Sequence, residues 1–194
     1  IDLGQFRRWY EQAGTPHVRA LLTHDPVSRT ATLHLEQAVP PTPGQPEKQP
    51  MAIPLRMALF DRASGQGRGD ELLMLTEAKQ RFTFDNLSEA PVLSINRGFS
   101  APVIVETNRS QADLAFLSAH DDDPFARYEA MQQLMVNVLV GRIGGQVVDE
   151  EAVIAAIRNT ATDPLLDPAF VAEAIRLPSE AYLGDQMAVV DPDA

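Results

Sequence analysis

The stretch that decides the fold is Ile53-Pro54-Leu55-Arg56-Met57-Ala58-Leu59-Phe60. Every second residue in its first seven is large and apolar, which is the period of a strand with one face on a core. The same period recurs on both sides, at Val18-Ala20-Leu22, Ala31-Leu33-Leu35 and Phe82-Phe84, and further strands are predicted at residues 72–76, 92–96 and 102–106. Seven or so short strands with no helix between them predict a β-sandwich.

From Ser110 onward, helix-start signals replace the strand pattern. Ser110 with Asp113 is typical of a capping pair, and Asp149 opens a further predicted helix. Asp123-Pro124 and Asp167-Pro168 each combine an N-cap acceptor with proline at the first helical position. One face of the longest predicted helix, residues 124–143, is formed by Tyr128, Met131, Met135, Val138 and Arg142, with Leu134 and Leu139 beside it. Short helices with short loops predict an antiparallel α-helical array.

A short helix is also predicted at the N-terminus. Apolar residues at helical spacing form one stripe there: Leu3, Phe6, Trp9, Tyr10 and Ala13. Gly14 ends the helix, and Thr15-Pro16 prevents its continuation. Because isolated helices of this length are marginal in water, we expect this one to pack on another part of the protein.

Composition excludes several classes of partner and chemistry. The chain has 194 residues and a formal net charge of −11, which disfavours nucleic acid as a partner. No apolar run in the sequence approaches the roughly 20 residues of a membrane span, so no membrane partner is predicted. The sequence contains no cysteine, which excludes disulfides, thiolate nucleophiles and cysteine-based zinc sites.

Motifs that carry metal chemistry are not found. The pattern His-Glu-x-x-His is absent, and the four histidines, His17, His24, His34 and His120, are dispersed along the chain, so we expect them to be ordinary structural or surface residues. The run from His120 to Asp123 lacks the register of a calcium loop, and Asp123 is expected to cap a helix. We therefore predict no catalytic, cofactor-binding or metal-ligating residue in this chain.

Three glycine- or proline-containing segments also fail as sites. Gly98-Phe99-Ser100 resembles a nucleophile elbow but leads into Ala101-Pro102 and another strand instead of a helix, and Gly98 is expected to have a positive φ. The segment from Gly65 to Asp70 lacks dinucleotide-binding spacing and is predicted to be a flexible hairpin loop. The Pro-rich segment 40–50 is expected to be a stiff connection, with a polyproline-II ligand as the alternative.

Four blocks of sequence carry a family resemblance, in order along the chain. They are Phe6-Arg7-Arg8-Trp9-Tyr10 with Gly14-Thr15-Pro16, residues 43–54, Arg97-Gly98-Phe99-Ser100-Ala101-Pro102-Val103, and residues 113–130. They resemble segments of the bacterial aminopeptidase N family of zinc-dependent gluzincins. In the same order, these segments are the junction between the catalytic and sandwich domains, the sandwich signature, the last sandwich strand and the start of the C-terminal helical domain. The similarity covers essentially the whole chain.

The resemblance implies three parts of a larger enzyme. Residues 1–15 are expected to end the preceding catalytic-domain helix, residues 16–108 to form the β-sandwich domain, and residues 109–194 to begin the C-terminal helical domain as an incomplete α-solenoid. The missing initiator Met also suggests an excised piece. Because such an array lacks its capping repeat, we expect Phe170, Val171, Ile175 and residues 182–190 to be partly exposed.

The implied function is that of a non-catalytic fragment of a cytoplasmic zinc metallo-aminopeptidase, which releases N-terminal residues from peptides. In this family the sandwich bridges the catalytic domain and a helical domain that restricts access to the active site. The partners implied are those two domains and the peptide substrates. The family's zinc and substrate motifs match no position here, so no site residue is carried over and the isolated chain is expected to be inactive. The alternative is a stand-alone β-sandwich module that presents the Pro-rich segment or an edge strand to a protein.

Overall fold

The computed structural model describes residues 3–187 and residue 190, and it divides into two compact units, Ile1–Asn108 and Arg109–Ala194. In the first unit a helix precedes the strands and a 3-10 turn, Arg97–Phe99, follows β6. The elements of this unit are α1 Gly4–Glu11, β1 His17–Asp25, β2 Thr30–Ala38, β3 Ile53–Phe60, β4 Gly67–Leu75, β5 Lys79–Phe84, β6 Val92–Ile95 and β7 Ile104–Thr107.

The seven strands form two sheets, which confirms the predicted β-sandwich. One sheet has the order β5-β2-β1-β7 and the other the order β4-β3-β6. β1 and β2 pair as a hairpin from His17 opposite Ala38 to Asp25 opposite Thr30, and β7 lies parallel to β1. Side chains from both sheets meet in one hydrophobic core, which includes Leu33 and Leu35 of β2 and Leu55 and Met57 of β3.

Strand β3, Ile53–Phe60, is the central strand of its sheet. The alternate residues Ile53, Leu55, Met57 and Leu59 are all buried in the core. Beside them β4 begins at Gly67, so the prediction of a flexible loop through Asp70 was wrong. The pairing shifts by one residue between Met57 and Leu59, and Gly69, with φ +75°, lies in this bulge. A bulge with a left-handed glycine lets a glycine-rich segment stay in the sheet.

The second unit is helical, as predicted. Its helices are α2 Gln111–His120, α3 Pro124–Ile143, α4 Glu150–Thr162, α5 Pro168–Ala174 and α6 Glu180–Asp185. The predicted N-caps are confirmed, since Ser110 and Asp113 form a capping box and the carboxylates of Asp123, Asp149 and Asp167 accept backbone N–H groups. These caps satisfy donors that a helix start leaves unpaired.

Burial in this unit is concentrated in α2 and α3. Met131, Leu134, Met135 and Val138 of the predicted α3 face are buried, whereas Arg142 is exposed and pairs with Glu150 at 3.4 Å. Toward the C-terminus, Phe170, Val171 and Ile175 are half-buried, and Tyr182 is exposed. The partial exposure expected in α5 is therefore found, while residues 188 and 189 of the predicted bare segment lie outside the described residues.

Candidate functional site

Helix α1 is attached to the sandwich through polar side chains. Gln5 donates to the carbonyls of Pro50 and Thr76, and Arg8 donates to the Pro50 carbonyl as well. The indole N–H of Trp9 donates to the carbonyl of Ala52 at 2.9 Å, and its ring packs against the core. These bonds bring the helix to the start of β3 and to the turn after β4.

The Pro-rich segment 40–50 completes this attachment. The side chain of Gln12 and the backbone of Gln49 form two hydrogen bonds. Gln12 Nε2 donates to the Gln49 carbonyl at 2.9 Å, and Gln49 N donates to Gln12 Oε1 at 2.6 Å. Gln45 accepts from Ala13 N at 2.8 Å and donates to the Glu11 carbonyl at 2.8 Å, and Lys48 donates to the Ala13 carbonyl. The segment thus holds the end of α1, a role that favours the stiff-connection interpretation over the polyproline-II ligand.

The apolar face of α1 points away from the sandwich. Leu3, Phe6 and Tyr10 are 53%, 49% and 82% exposed, and the Phe6 and Tyr10 rings meet edge to face at 5.9 Å between centroids. The prediction of one apolar stripe was therefore incomplete, because Trp9 faces the core and the other aromatic residues do not. We define Leu3, Phe6 and Tyr10 as the outer face of α1, and this face is the candidate functional surface.

The corner after β6 contains three residues with left-handed backbone conformation and is stabilised by side-chain hydrogen bonds. Asn96, Gly98 and Phe99 have φ values of 61°, 61° and 51°, so the expected positive φ at Gly98 is confirmed. The Asn96 amide accepts from Ala101 N and donates to the Ala101 carbonyl, which closes the corner. Ser100 Oγ accepts from Arg56 N at 2.9 Å and donates to Asn96 Oδ1 at 3.1 Å. The Ser100 hydroxyl therefore stabilises the turn, with the geometry of a structural serine.

Four of the residues considered as metal ligands make structural contacts. The ring of His24 hydrogen-bonds to the Leu87 carbonyl at 3.0 Å, and the ring of His120 lies 4.6 Å from that of Phe116. Asp123 caps α3, and Asp121 accepts from Asp123 N at 2.9 Å. Within residues 3–187 and 190, no group of three or more histidine, aspartate or glutamate side chains is placed to hold a metal ion.

Charged residues tie the helical unit together internally. Arg109 donates to Gln133 of α3 at 3.0 Å, and burial lowers the pKa of its guanidinium while Asp121 opposes that effect. Burial raises the pKa of the Glu129 carboxyl, and Arg109 partly offsets this shift. Arg127 of α3 lies 3.5 Å from Asp163, which caps the end of α4. These pairs connect elements within the helical unit.

Sequence reasoning missed one residue of structural weight, Gln37. It is buried, its amide nitrogen donates to the carbonyls of Met51 and Glu77 at 2.9 and 3.1 Å, and its oxygen accepts from Met51 N at 2.8 Å. Gln37 thereby links β2 in one sheet to the chain that enters β3 in the other. The signal was a polar residue that continues the inward row of Ala31, Leu33 and Leu35.

Comparison with known families defines the class of protein. Residues 14–108 match a domain of unknown function, DUF3458, described as an Ig-like fold. Residues 111–194 match its C-terminal companion, DUF3458_C, described as ARM repeats. The fold is therefore an Ig-like sandwich followed by ARM-type helices, as the two units of the structure also indicate.

The particular relatives are aminopeptidases. Aminopeptidase N of Escherichia coli is 35% identical over the whole chain, and that of Caulobacter vibrioides is 38% identical, also over the whole chain. A crystal structure of Legionella pneumophila aminopeptidase A in complex with aspartic acid covers 96% of the chain with a TM-score of 0.83 and 27% identity. The predicted resemblance to bacterial aminopeptidase N is confirmed.

The similarity concerns one part of those enzymes. The chain spans 24% of the Escherichia coli relative, 23% of the Caulobacter relative and 21% of the Legionella chain.

None of the helices in the described residues is both long and apolar enough to cross a membrane.

Proposed function

We propose that this chain is the connecting segment of a larger zinc-dependent aminopeptidase that releases N-terminal amino acids from peptides. In this proposal residues 1–15 end the catalytic domain, residues 16–108 form the bridge, and residues 109–194 begin the helical domain that restricts access. The whole-length similarity to about a quarter of aminopeptidase N supports it. The resemblance also leads us to propose a cytoplasmic location for the parent.

The observation that carries the proposal is the outer face of α1. The eight-residue helix exposes two large rings, Phe6 and Tyr10, and its N-cap residue Leu3 is exposed beside them, while the polar face of the helix is fixed to the sandwich. Exposed apolar residues grouped on one short helix are typical of a surface that another part of a protein covers. We assign that cover to the catalytic domain upstream.

The hydrogen bonds that attach α1 explain how the sandwich would fix the orientation of a neighbouring domain. Gln5, Arg8 and Gln12 bind backbone carbonyls of residues that lead into β3, so α1 cannot rotate without breaking several hydrogen bonds. A domain docked on the outer face would therefore be held in a fixed orientation to the sandwich. The stand-alone module fits less well in the form that presents the Pro-rich segment, because that segment already binds the end of α1.

Zinc belongs, in this proposal, to the upstream part of the parent. The described residues do not fit a zinc site, since no set of three candidate ligands is placed together in them. We expect the 194-residue chain, after dialysis, to hold no stoichiometric zinc and to leave alanyl and arginyl anilides intact. The longer protein that contains this chain should hold zinc and hydrolyse both.

The test of the docking surface uses that longer protein. Phe6→Ser should lower the stability of the catalytic domain by about 2 kcal/mol, because it removes a ring from a buried interface. Val27→Ser is the matched control, since Val27 lies in the β1–β2 turn and is 91% exposed. Equal thermal midpoints for the two variants, or a longer protein without zinc-dependent peptidase activity, would contradict the proposal.

A further inference from the structure

A cavity of about 320 Å³ opens at one edge of the sandwich, between the two edge strands β4 and β5. Leu59 and Leu73 form part of its floor, and Phe82 and Phe84 of β5 form a wall. Arg68, Glu71 and Asp85 stand at the same cavity and are exposed. The site therefore combines an apolar interior with one guanidinium and two carboxylates.

The bulge in β4 places two of the three charged residues of that strand, Arg68 and Glu71, on the inner side. Glu71 is opposite Met57 and Arg68 is opposite Leu59, and both partners face the core. Residues directly opposite in an antiparallel pair share a face. In a regular strand, residues three apart would lie on opposite faces, so the extra residue at the bulge turns Arg68 and Glu71 toward the same cavity.

The positions of these side chains are supported by their surroundings. Arg68 Nη1 donates to the carbonyl of Asn86 at 2.9 Å, and among the described residues no other hydrogen bond or ion pair occupies the guanidinium, whose further donors can bind a carboxylate. A Cβ on Gly69 would lie 3.3 Å from Glu71 Oε1, so the glycine gives the carboxylate its room. Leu87 N donates to the Arg29 carbonyl, which fixes the loop on the other side of the mouth.

We propose that this cavity binds a free α-amino acid with a large apolar side chain, such as leucine. The carboxylate of the ligand would pair with Arg68, its ammonium group with Glu71 and Asp85, and its side chain would contact Phe82 and Phe84. A zwitterion needs a cation and an anion beside an apolar pocket, and this edge supplies all three. The inference rests on the proposed function in one respect, because free amino acids are what the parent would release.

The experiment titrates the isotope-labelled 194-residue chain with L-leucine and follows its amide resonances. We expect saturable shifts at Leu73, Thr83 and Asp85 with a millimolar dissociation constant, given the small size of the ligand. 4-Methylpentanoate lacks the ammonium group, 3-methylbutylamine lacks the carboxylate, and N-acetyl-leucinamide lacks both charges. Each analogue that lacks one charge should bind about tenfold more weakly, because a charge-assisted hydrogen bond is lost, and N-acetyl-leucinamide should bind about a hundredfold more weakly, because both are lost.

Two variants and one control locate the site. Arg68→Gln and Glu71→Gln should each weaken leucine binding about fivefold to tenfold, whereas Arg81→Gln, on the exposed side of β5, should leave it unchanged. The thermal midpoint of each variant verifies folding, and Glu71→Gln keeps the size of an exposed side chain. Absence of shifts at an L-leucine concentration of about 50 mM, roughly fifty times the expected dissociation constant, would overturn the proposal. The inward charges would then be explained as protection of a sheet edge.

The outcome is separate from that of the proposed function. If the longer protein is a zinc-dependent peptidase but leucine does not bind, this inference alone is overturned. Equal binding of L-leucine and N-acetyl-leucinamide would also overturn it, because the site would then recognise an apolar side chain without the zwitterion.

Discussion

The sandwich and the helical unit differ in where their apolar residues end up. In the sandwich, large side chains from both sheets join in one core, and the strand segment 53–59 lies at its centre. In the helical unit, α3 buries residues along its length, α5 buries Ala174, and no residue of α6, Glu180–Asp185, is buried. A sheet pair can close its core on itself, whereas stacked helices bury theirs only against the next neighbour.

The largest effect we expect from this difference is in local stability. Amides of β3 should exchange about a hundredfold or more slowly than those of α5 and α6, because helices with few buried contacts open at low free energy. Hydrogen exchange read by mass spectrometry measures this difference, and limited proteolysis should cut first after about residue 177. Uniform protection from residue 110 to residue 187 would mean that the helices are a complete domain.

A second experiment tests how far the sandwich depends on one polar side chain. Gln37→Ala should destabilise the chain by about 3 kcal/mol, because it leaves the buried N–H and carbonyl of Met51 and the partly buried carbonyl of Glu77 without their partner. Gln80→Ala removes a single bond, to Thr76 N at 3.1 Å, and should cost less than about 1 kcal/mol. Urea unfolding followed by fluorescence gives both values, and similar losses for the two variants would argue against a special role for Gln37.

The strands and caps could be predicted because their signals are local. Period two in segments such as residues 53–59 shows which face is buried, and an acid before proline marks a helix start at Asp123 and Asp167. The start of β4 could not be predicted, because glycines at 67 and 69 are typical of a loop and only pairing with β3 makes them a strand. Pairing of that kind depends on residues distant in sequence.

The candidate site was less predictable for the same reason. Gln12 and Gln49 are 37 positions apart, and neither side chain by itself predicts that they exchange hydrogen bonds. The helical spacing of Leu3, Phe6 and Tyr10 was visible, but the choice of which face meets the sandwich depends on backbone carbonyls at residues 50–52. The cavity charges depend on a bulge, which the sequence indicates only through glycine.

A third experiment concerns the corner after β6 and compares two neighbouring residues with positive φ, one a glycine and one not. Gly98→Val should cost more than about 1 kcal/mol, because a β-branched residue is strained at φ 61°. Phe99→Gly should change stability by less than about 0.5 kcal/mol, since relief at φ 51° offsets the added freedom of the unfolded chain. Thermal midpoints compare the two variants, and an unchanged midpoint for Gly98→Val would show that this glycine is incidental.

The smallest effect we expect is electrostatic and lies on the exposed surface of the sandwich. Lys79 donates to Glu36 at 2.8 Å, and this hydrogen bond and charge hold the pKa of the Glu36 carboxyl below its ordinary value. A depressed pKa in the folded state contributes stability above the unfolded pKa, and that contribution is lost as the pH falls through the folded value. In Lys79→Met, the Glu36 pKa should therefore rise toward the ordinary value.

The carboxyl carbon resonance of Glu36, followed against pH, measures that shift directly. Asp25 is the internal control, because the Ser28 hydroxyl and Val27 N lower the pKa of its carboxyl without help from Lys79. Its titration should be the same in both proteins, and the acid dependence of stability should weaken slightly in the variant. An unchanged Glu36 titration would mean that the pair is open in solution. Cross-strand register alone, with Glu36 opposite Lys79, would then hold β5 on β2 at this end.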